Sequence, residues 1–393
     1  MGRTRQEAAD ALLTGGLRTI AGGGRTGREL AARLELVRTL GPSVAGRRLV
    51  QERRFARLDR AGTRDALYGR IWSEAAAELG AGIEPLAHGR YRIAREGVTV
   101  EVYRQSVGLD DPATLRAAEH KAGVLGALVG AGLPTPEGVI FDARDDAQAL
   151  AFLERSPSTC IVKPAENSDG GGGITGGVRR AGDLRRAALK ASRWSRRLLI
   201  ERQAPGLVYR LLFLDGELLD VLERRPPEVT GDGVNTAIRL IENENRRRLS
   251  GGGRIGYPLR VDLDTVLALR AAGRTLRSVL PAGSKVAVKT TTSQNGREDN
   301  FTHRGPISDE LVAQARQAAR LVGVRVAGID LITPNPRVAL TDAGGVIVEV
   351  NGEPGLDHHY QVAEPAHATP VAVPVLRTAL KDARADARRL MVP

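Results

Sequence analysis

An apolar strand holds an ionised carboxylate only where something charged or strongly polar meets it. Two such strands lie close together in this chain. Val326-Ala327-Gly328-Ile329-Asp330-Leu331-Ile332 is apolar except for one acid. About twenty residues on, Gly345-Val346-Ile347-Val348 runs into Glu349-Val350-Asn351-Gly352-Glu353-Pro354-Gly355-Leu356. Side chains at i and i+2 share a strand face, so Glu349 and Asn351 point the same way where a Gly/Pro turn ends the strand. Asp330, Glu349 and Asn351 together offer hard oxygen ligands, which suit Mg²⁺ rather than zinc or iron. Taken alone, the segment could equally be a solvated strand end beside a satisfied core aspartate.

Upstream, Thr159-Cys160-Ile161-Val162-Lys163-Pro164 reads as a short buried strand closed by a lysine. Ala165-Glu166-Asn167-Ser168-Asp169 and four glycines, Gly170 to Gly173, follow it. Glycine lets backbone N–H groups approach an anion unobstructed, and successive N–H groups can cradle phosphate. There is no G-x-x-x-x-G-K-[ST] phosphate loop, and a glycine run by itself is as often a plain turn. Lysine usage adds weight. Of 58 basic residues only Lys121, Lys163, Lys190, Lys285, Lys289 and Lys381 are lysine. A lysine at a strand end beside a glycine loop, in a chain that otherwise uses arginine, suits a point charge on phosphate.

Between these segments, Leu198 to Leu219 reads as a strand, a Pro205-Gly206 break, a second strand, an Asp215-Gly216 hairpin turn and a third strand. It continues through Glu223-Arg224-Arg225-Pro226-Pro227-Glu228-Val229-Thr230-Gly231-Asp232-Gly233 to Leu240-Ile241-Glu242-Asn243-Glu244-Asn245-Arg246. This order of motifs, from Lys-Pro and the glycine loop to Ala327-Gly328-Ile329-Asp330 and Glu349-Val350-Asn351, resembles the ATP-grasp carboxylate–amine ligases. Within them it looks most like the ATP-grasp part of cyanophycin synthetase, with D-alanine–D-alanine ligase and glutathione synthetases more distant. The resemblance covers roughly residues 105 to 365.

The resemblance implies a role for each matching residue. Lys121, in a helical stretch before Gly132-Leu133-Pro134, matches the first nucleotide lysine, and Lys163 matches the second. Gly170, Gly171 and Gly172 match the mobile loop over the phosphates, and Glu201 the hinge strand that holds adenine and ribose. Arg210 and Arg224 match arginines that approach the transferred phosphoryl group and the substrate carboxylate. Asp330, Glu349 and Asn351 match the metal ligands. The implied cofactors are ATP and Mg²⁺, two ions, with Mn²⁺ as a substitute. The implied reaction is amide or peptide bond formation through an acyl phosphate, releasing ADP and phosphate, on an amino acid or short peptide.

The chain also departs from the family pattern. D-Ala–D-Ala-type ligases carry an arginine two residues before the first metal aspartate, where this chain has Gly328, as in the cyanophycin-type branch. The cyanophycin-type Asn-Leu-Ser-Thr-Gly-Gly loop is replaced by Thr290-Thr291-Thr292-Ser293-Gln294-Asn295-Gly296-Arg297-Glu298-Asp299-Asn300, so the substrate identity does not carry over. No second, phosphate-loop module occurs within the 393 residues, and repeated polymerisation by two alternating modules is not expected.

The expected fold is α+β: two ATP-grasp lobes sandwiching nucleotide, a small α/β domain before them, and a helical N-terminal segment. The expected divisions are 1–84 (helical, function unassigned), 85–141 (small α/β domain), 142–205 (first lobe with the glycine loop) and 206–393 (second lobe with the metal site and a C-terminal helix). Helices are expected at 64–79, 307–323 and 366–390, and a hairpin around Glu96-Gly97. No apolar run is long enough to span a bilayer and the N-terminus lacks a signal-peptide core, so a cytoplasmic protein is expected. Cys160, the only cysteine, reads as a buried small hydrophobe.

The net charge of +12 could suggest nucleic acid, since residues 1–60 carry 13 arginines against 6 acids. Aromatics at 3% are too few for base stacking, and no helix-turn-helix or RNA-binding signature occurs, so a basic surface that draws in ATP and carboxylates is preferred. A non-catalytic nucleotide-binding module and a nucleic-acid-associated protein are the rival classes, and a homo-oligomer is compatible with the sequence. His358 and His359 read as turn polarity, with pocket lining as the alternative. Lys289 reads as a surface lysine, with a substrate carboxylate as its alternative partner. Asp232 reads as a turn residue, and Arg225 as solvated on the opposite strand face from Arg224.

Overall fold

The computed structural model describes residues 5–56, 60–166, 172–250, 257–293 and 295–390. Three helices open the chain, α1 (Arg5–Ala21), α2 (Gly24–Leu40) and α3 (Pro42–Ala56). Glycine and proline set their boundaries. Gly41 takes φ +78° and Pro42 supplies the first helical residue of α3. Helix α4 (Arg60–Glu78) buries Leu67, Tyr68, Ile71, Trp72, Ala75 and Ala76, an apolar stripe at helical spacing. It packs on an antiparallel sheet of β1 (Gly82–Pro85), β2 (Arg90–Arg95) and β3 (Val98–Tyr103), turning at Glu96-Gly97. Helices α5 (Pro112–Glu119) and α6 (Lys121–Gly130) follow. Asp111 caps α5 by accepting from the Ala113 and Thr114 N–H groups.

The next elements are β4 (Gly138–Asp142), α7 (Ala147–Arg155), β5 (Cys160–Pro164), β6 (Thr175–Val178), α8 (Ala181–Ala191) and β7 (Arg197–Arg202). They form a four-stranded antiparallel sheet in the order β4-β7-β5-β6, with both helices on one face. Phe141, Cys160, Val162, Leu198 and Ile200 fill that face, which leaves the alternate residues on the other. Strand β4 pairs along its whole length with β7, so this lobe begins before residue 142. The expected boundary at 141/142 cuts through a hydrogen-bonded strand.

The chain then runs through β8 (Leu207–Leu214), β9 (Glu217–Arg224), β10 (Glu228–Thr230), α9 (Ala237–Leu249), α10 (Leu263–Ala271), β11 (Lys285–Ala287) and β12 (Asn300–Thr302). It ends with α11 (Asp309–Val322), β13 (Val326–Thr333), α12 (Leu340–Ala343), β14 (Val346–Gly352), α13 (Asp357–Tyr360) and α14 (Ala372–Leu390). Five strands make the central antiparallel sheet, β12-β9-β8-β13-β14. The β8–β9 turn uses Asp215 at φ +51° and Gly216 at φ +83°, the left-handed pair that a two-residue hairpin needs. One sheet face, with Tyr209, Leu211, Phe213, Ile329, Leu331, Ile347 and Val350, packs with residues of α11. Leu212, Leu214 and Val326 join α4, α14 and the small sheet in another core.

Two placements differ from the sequence expectation. Helix α4, grouped by the expected divisions with the N-terminal helical segment, shares its core with the small sheet and α14. Leu263 and Leu267 of α10 pack into the first-lobe core, although they lie far along the chain in the segment assigned to the second lobe. Among the described residues no helix is long and apolar enough to cross a membrane.

Two side chains of α4, Arg64 and Tyr68, reach Asp357 after β14. The Tyr68 hydroxyl donates to Asp357 Oδ1 at 2.8 Å, fully buried. Tyr68→Phe keeps the packing and removes the donor, so the unfolding free energy should fall by roughly 1–3 kcal/mol, as for a buried group left short of a partner. Urea denaturation checks this, and an unchanged midpoint would mean that Arg64 and Gln361 suffice for Asp357.

Candidate functional site

The open face of the first-lobe sheet follows from strand parity. On it, Ile161 pairs with Glu201 and Lys163 with Leu199, while Gly138, Ile140 and Asp142 stand opposite Glu201, Leu199 and Arg197. The face is therefore an apolar shelf of Ile140, Ile161 and Leu199, with Asp142 and Arg197 at one end and a less exposed ion pair beside it, Lys163 Nζ to Glu201 Oε2 at 2.6 Å. Gly138 makes room for the carboxylate, since a Cβ there would come within 2.8 Å of Glu201 Cγ. Gly172 lies against Trp194, where a Cβ would meet the indole Nε1 at 2.6 Å. Gly170 and Gly171 lie outside the described residues.

On the central sheet the register puts the polar residues on one face. Arg210 of β8 pairs with Asp330 of β13, Asp330 pairs with Glu349 of β14, and Asn351 stands opposite Gly328. Arg224 of β9 shares this face through its pairing with Val208. The bulge after Asp330 keeps Glu349 beside it while Ile347 and Val350 stay in the core. A side chain at 328 has no space, because its Cβ would meet Pro354 Cβ at 2.7 Å. The glycine is thus required by the Glu353-Pro354-Gly355 turn that closes the strand.

Arg210 holds Asp330 through both oxygens, Nε to Oδ1 and Nη2 to Oδ2, each at 2.6 Å and buried. Burial pushes the Asp330 carboxyl up, but Arg210 and Arg224 outweigh it and the group sits below its usual range. Arg224 is poorly partnered. Its Nη1 is 3.7 Å from Asp330 Oδ2 and its Nη2 donates to the Thr292 carbonyl at 3.4 Å. Burial, and then the like charge of Arg210, hold Arg224 down to about 10. Lys121, at the start of α6, reaches Glu349 Oε1 at 3.3 Å. The structure thus brings together Lys121, Arg210, Arg224, Asp330, Glu349 and Asn351, and separately pairs Lys163 with Glu201.

The oxygen set is compatible with a hard divalent cation. Two carboxylates and an amide share one face, and no cluster of three or more His, Cys, Asp or Glu that could hold a metal occurs among the described residues. Glu349 and Asn351 are partly exposed, whereas Asp330 is engaged by Arg210.

Several residues differ from their sequence reading. Lys289 is buried, with its Nζ 2.7 Å from Asp262 Oδ1, and is not a surface lysine. Asp262 also binds Lys190 at 2.7 Å, and Lys190 donates to the Ile174 carbonyl. Burial opposes ionisation of Asp262, but Lys190, Lys289 and Arg48 hold it ionised. His359 is fully buried with Nδ1 2.6 Å from Asp220 Oδ2, so it is a core group rather than turn polarity. Nothing in the local sequence signals that partner, which lies in β9.

Asp232 accepts from the Val234 and Asn235 N–H groups, as a turn residue does. Arg225 is exposed and stacks on Phe301 at 4.1 Å. The 290–300 loop abuts the site through the Thr292 carbonyl and is pinned by Arg248, which binds Asp299 at 2.7 and 2.8 Å. Arginines of the basic N-terminal segment are used internally. Arg18 pairs with Asp146 and Arg47 with Glu242.

Curated proteins similar to the chain include cyanophycin synthetases from Nostoc sp., 31% identical over 59% of this chain and 26% of the relative, and from Geminocystis herdmanii, 32% identical over 65% and 29%. A glutathione biosynthesis bifunctional protein of Streptococcus mutans is 29% identical over 58% of this chain and 31% of its own. The chain spans less than a third of the length of these relatives. The resemblance to cyanophycin synthetase read in the motifs is borne out, and the fold is α+β as expected. Among solved structures, a bifunctional glutathione synthetase from Pasteurella multocida is 23% identical, covering 72% of this chain and 40% of that one, with a TM-score of 0.47. No protein-family model matches the chain.

His358 offers a pH test of the site. Burial, with Arg210 and Arg224 nearby, pushes its imidazole down to about 4 although Asp357 pulls the other way. A folded pKa below the ordinary 6.5 means that the unfolded chain takes up a proton first. This contribution to stability is present above about 6.5 and is lost as pH falls toward about 4. Denaturation midpoints across that window should fall more steeply for the wild type than for His358→Gln, and parallel curves would show that His358 does not titrate there.

Proposed function

We propose that the chain is an ATP-dependent carboxylate–amine ligase, working through an acyl phosphate on an amino acid or short peptide. One observation carries this reading. Arg210 and Arg224 share a sheet face with Asp330, Glu349 and Asn351, and the first lobe presents an apolar shelf with Lys163 and Glu201. The similarity to proteins named cyanophycin synthetase and glutathione biosynthesis bifunctional protein supports it.

The shelf of Ile140, Ile161 and Leu199 suits the flat face of adenine, with Glu201 at its edge as an acceptor for amino or hydroxyl groups. Lys163, Lys121 and the glycine-loop N–H groups would fix the phosphates. Asp330, Glu349 and Asn351 would hold Mg²⁺, which neutralises charge as the γ-phosphoryl group moves. A carboxylate oxygen attacks the γ-phosphorus and ADP leaves. An amine then attacks the acyl carbon, loses a proton and displaces inorganic phosphate, leaving the amide. Arg224, short of partners, is placed to take the substrate carboxylate and then the tetrahedral oxyanion. No side-chain nucleophile is required, and Cys160 is buried in the core.

The products distinguish this chemistry from its rivals. Incubation with ATP, Mg²⁺ and panels of amino acids and dipeptides should release ADP and phosphate, and hydroxylamine should trap the activated acid as a hydroxamate. AMP and pyrophosphate, or a stable phosphorylated alcohol, would refute the acyl-phosphate step. Low-affinity, salt-dependent binding to nucleic acid with no turnover would favour the basic-protein class.

Glu349→Gln should lower ATP turnover at least about 100-fold while the melting temperature stays close to that of the wild type. Near-normal turnover would remove Glu349 from the metal set. Lys163→Ala should weaken ATP binding by roughly 1.5–3 kcal/mol, the range for a charge-assisted bond to phosphate. Lys381→Ala, exposed on α14, is the control in the same titration, because Lys190 is tied into the Asp262 cluster. Equal affinities for the two variants would take Lys163 off the phosphates.

A further inference from the structure

The fork that Arg210 makes with Asp330 commits its Nε and one Nη2 hydrogen, the pair of donors best shaped for a second carboxylate. Arg210 lies parallel to the Asp330 carboxylate in a fork, and both oxygens are used at 2.6 Å. The pair is buried, so neither group can turn to water for a substitute partner. Glu349 and Asn351, beside it on β14, are partly exposed and already accessible. Asp330 is therefore closed by a buried two-point contact, whereas Glu349 meets only the exposed Lys121 at 3.3 Å and Asn351 is left partly open.

We propose that Arg210 is exchanged for a divalent cation at Asp330, so that the guanidinium becomes free to bind the substrate carboxylate only after the metal and nucleotide are in place. This inference rests on the ligase reading above and adds an order of binding to it. Charge conservation favours the exchange. With Arg210 on Asp330 and Lys121 on Glu349, each site carboxylate has a close cation, and Arg224 has only the looser contact with Asp330 Oδ2 at 3.7 Å. A metal that takes Asp330 leaves two neighbouring guanidiniums in need of an anion, Arg210 and Arg224, on adjacent strands of one sheet face. Two such groups match the two oxygens of a carboxylate and the further charge of a phosphoryl group added to it. The order also has a chemical benefit, because an acid cannot settle in the site before the phosphoryl donor that activates it.

The competing arrangement is that Arg210 stays on Asp330 and orients it for the metal from behind, since a carboxylate keeps further lone pairs beyond those a fork uses. The two make opposite predictions for metal affinity. If Arg210 competes with the cation, its removal should tighten metal binding. If it orients the ligand, removal should weaken it.

Mn²⁺ is titrated in the presence of saturating ADP into the full chain, with free Mn²⁺ read by electron paramagnetic resonance. The variants are Arg210→Met, Arg210→Lys and Asp330→Asn. Exchange requires Mn²⁺ to bind Arg210→Met at least about five-fold more tightly than the wild type, with Arg210→Lys between them because an ammonium cannot span both oxygens. The rise in melting temperature on adding Mn²⁺ and ADP should also be larger in Arg210→Met than in the wild type. If Arg210→Met does not fold, Arg210→Lys decides alone. Affinity unchanged or weaker in the arginine variants, with binding lost in Asp330→Asn, would overturn the exchange and leave the metal assignment standing. Wild-type Mn²⁺ affinity in Asp330→Asn would overturn the metal reading itself.

Discussion

The Arg210–Asp330 pair is the interaction on which the rest of this structure turns. It lies between the two central strands of a five-stranded sheet, where a lone charge would be untenable, and each partner makes the other tolerable. Removing one partner of such a pair typically costs about 3–5 kcal/mol, because the other is left buried and uncompensated. Strands β8 and β13 can therefore carry ionised groups into an otherwise apolar sheet. The same strands place Leu212, Leu214 and Val326 further along the same face, under α4 and α14. One surface is thus apolar where α4 and α14 cover it and charged at Arg210, Arg224, Asp330 and Glu349.

Strand parity made the second lobe legible from the sequence. Once Val326–Ile332 and Val346–Asn351 are strands, the period of two puts Glu349 and Asn351 on one face and leaves Asp330 needing a charged neighbour. The register supplies that neighbour as Arg210. The Asp215-Gly216 turn was equally plain, because few residue pairs take two left-handed conformations. The 85–141 and 142–205 divisions were less well placed. A boundary drawn from composition cannot see that β4 hydrogen-bonds to β7 about sixty residues later.

What stayed hidden were buried pairs between distant positions. Lysine is mostly exposed and histidine intermediate in burial, so Lys289 and His359 gave no local sign of being buried. Their partners, Asp262 and Asp220, lie 27 and 139 residues away in the chain. Helix α4 illustrates the same limit. Its stripe of Tyr68, Ile71 and Trp72 announced a buried face, but not that the face would meet a small sheet and the far end of the chain.

The Asp262 cluster has a mechanical consequence. A single carboxylate grips Lys190 of α8, which in turn binds the Ile174 carbonyl just beyond the described end of the glycine segment, and it grips Lys289 at the root of the 290–300 loop. Gln203, just past β7, adds a second rivet by donating to the Thr290 carbonyl and accepting from the Gly177 N–H. The first lobe and the base of that loop are thereby welded into one lever. Any displacement of the lobe would bring the base of the loop with it or break the ion pairs of a buried carboxylate. Two contacts far apart in the sequence thus make one mechanical unit of a sheet edge and a loop base that the chain order would keep separate.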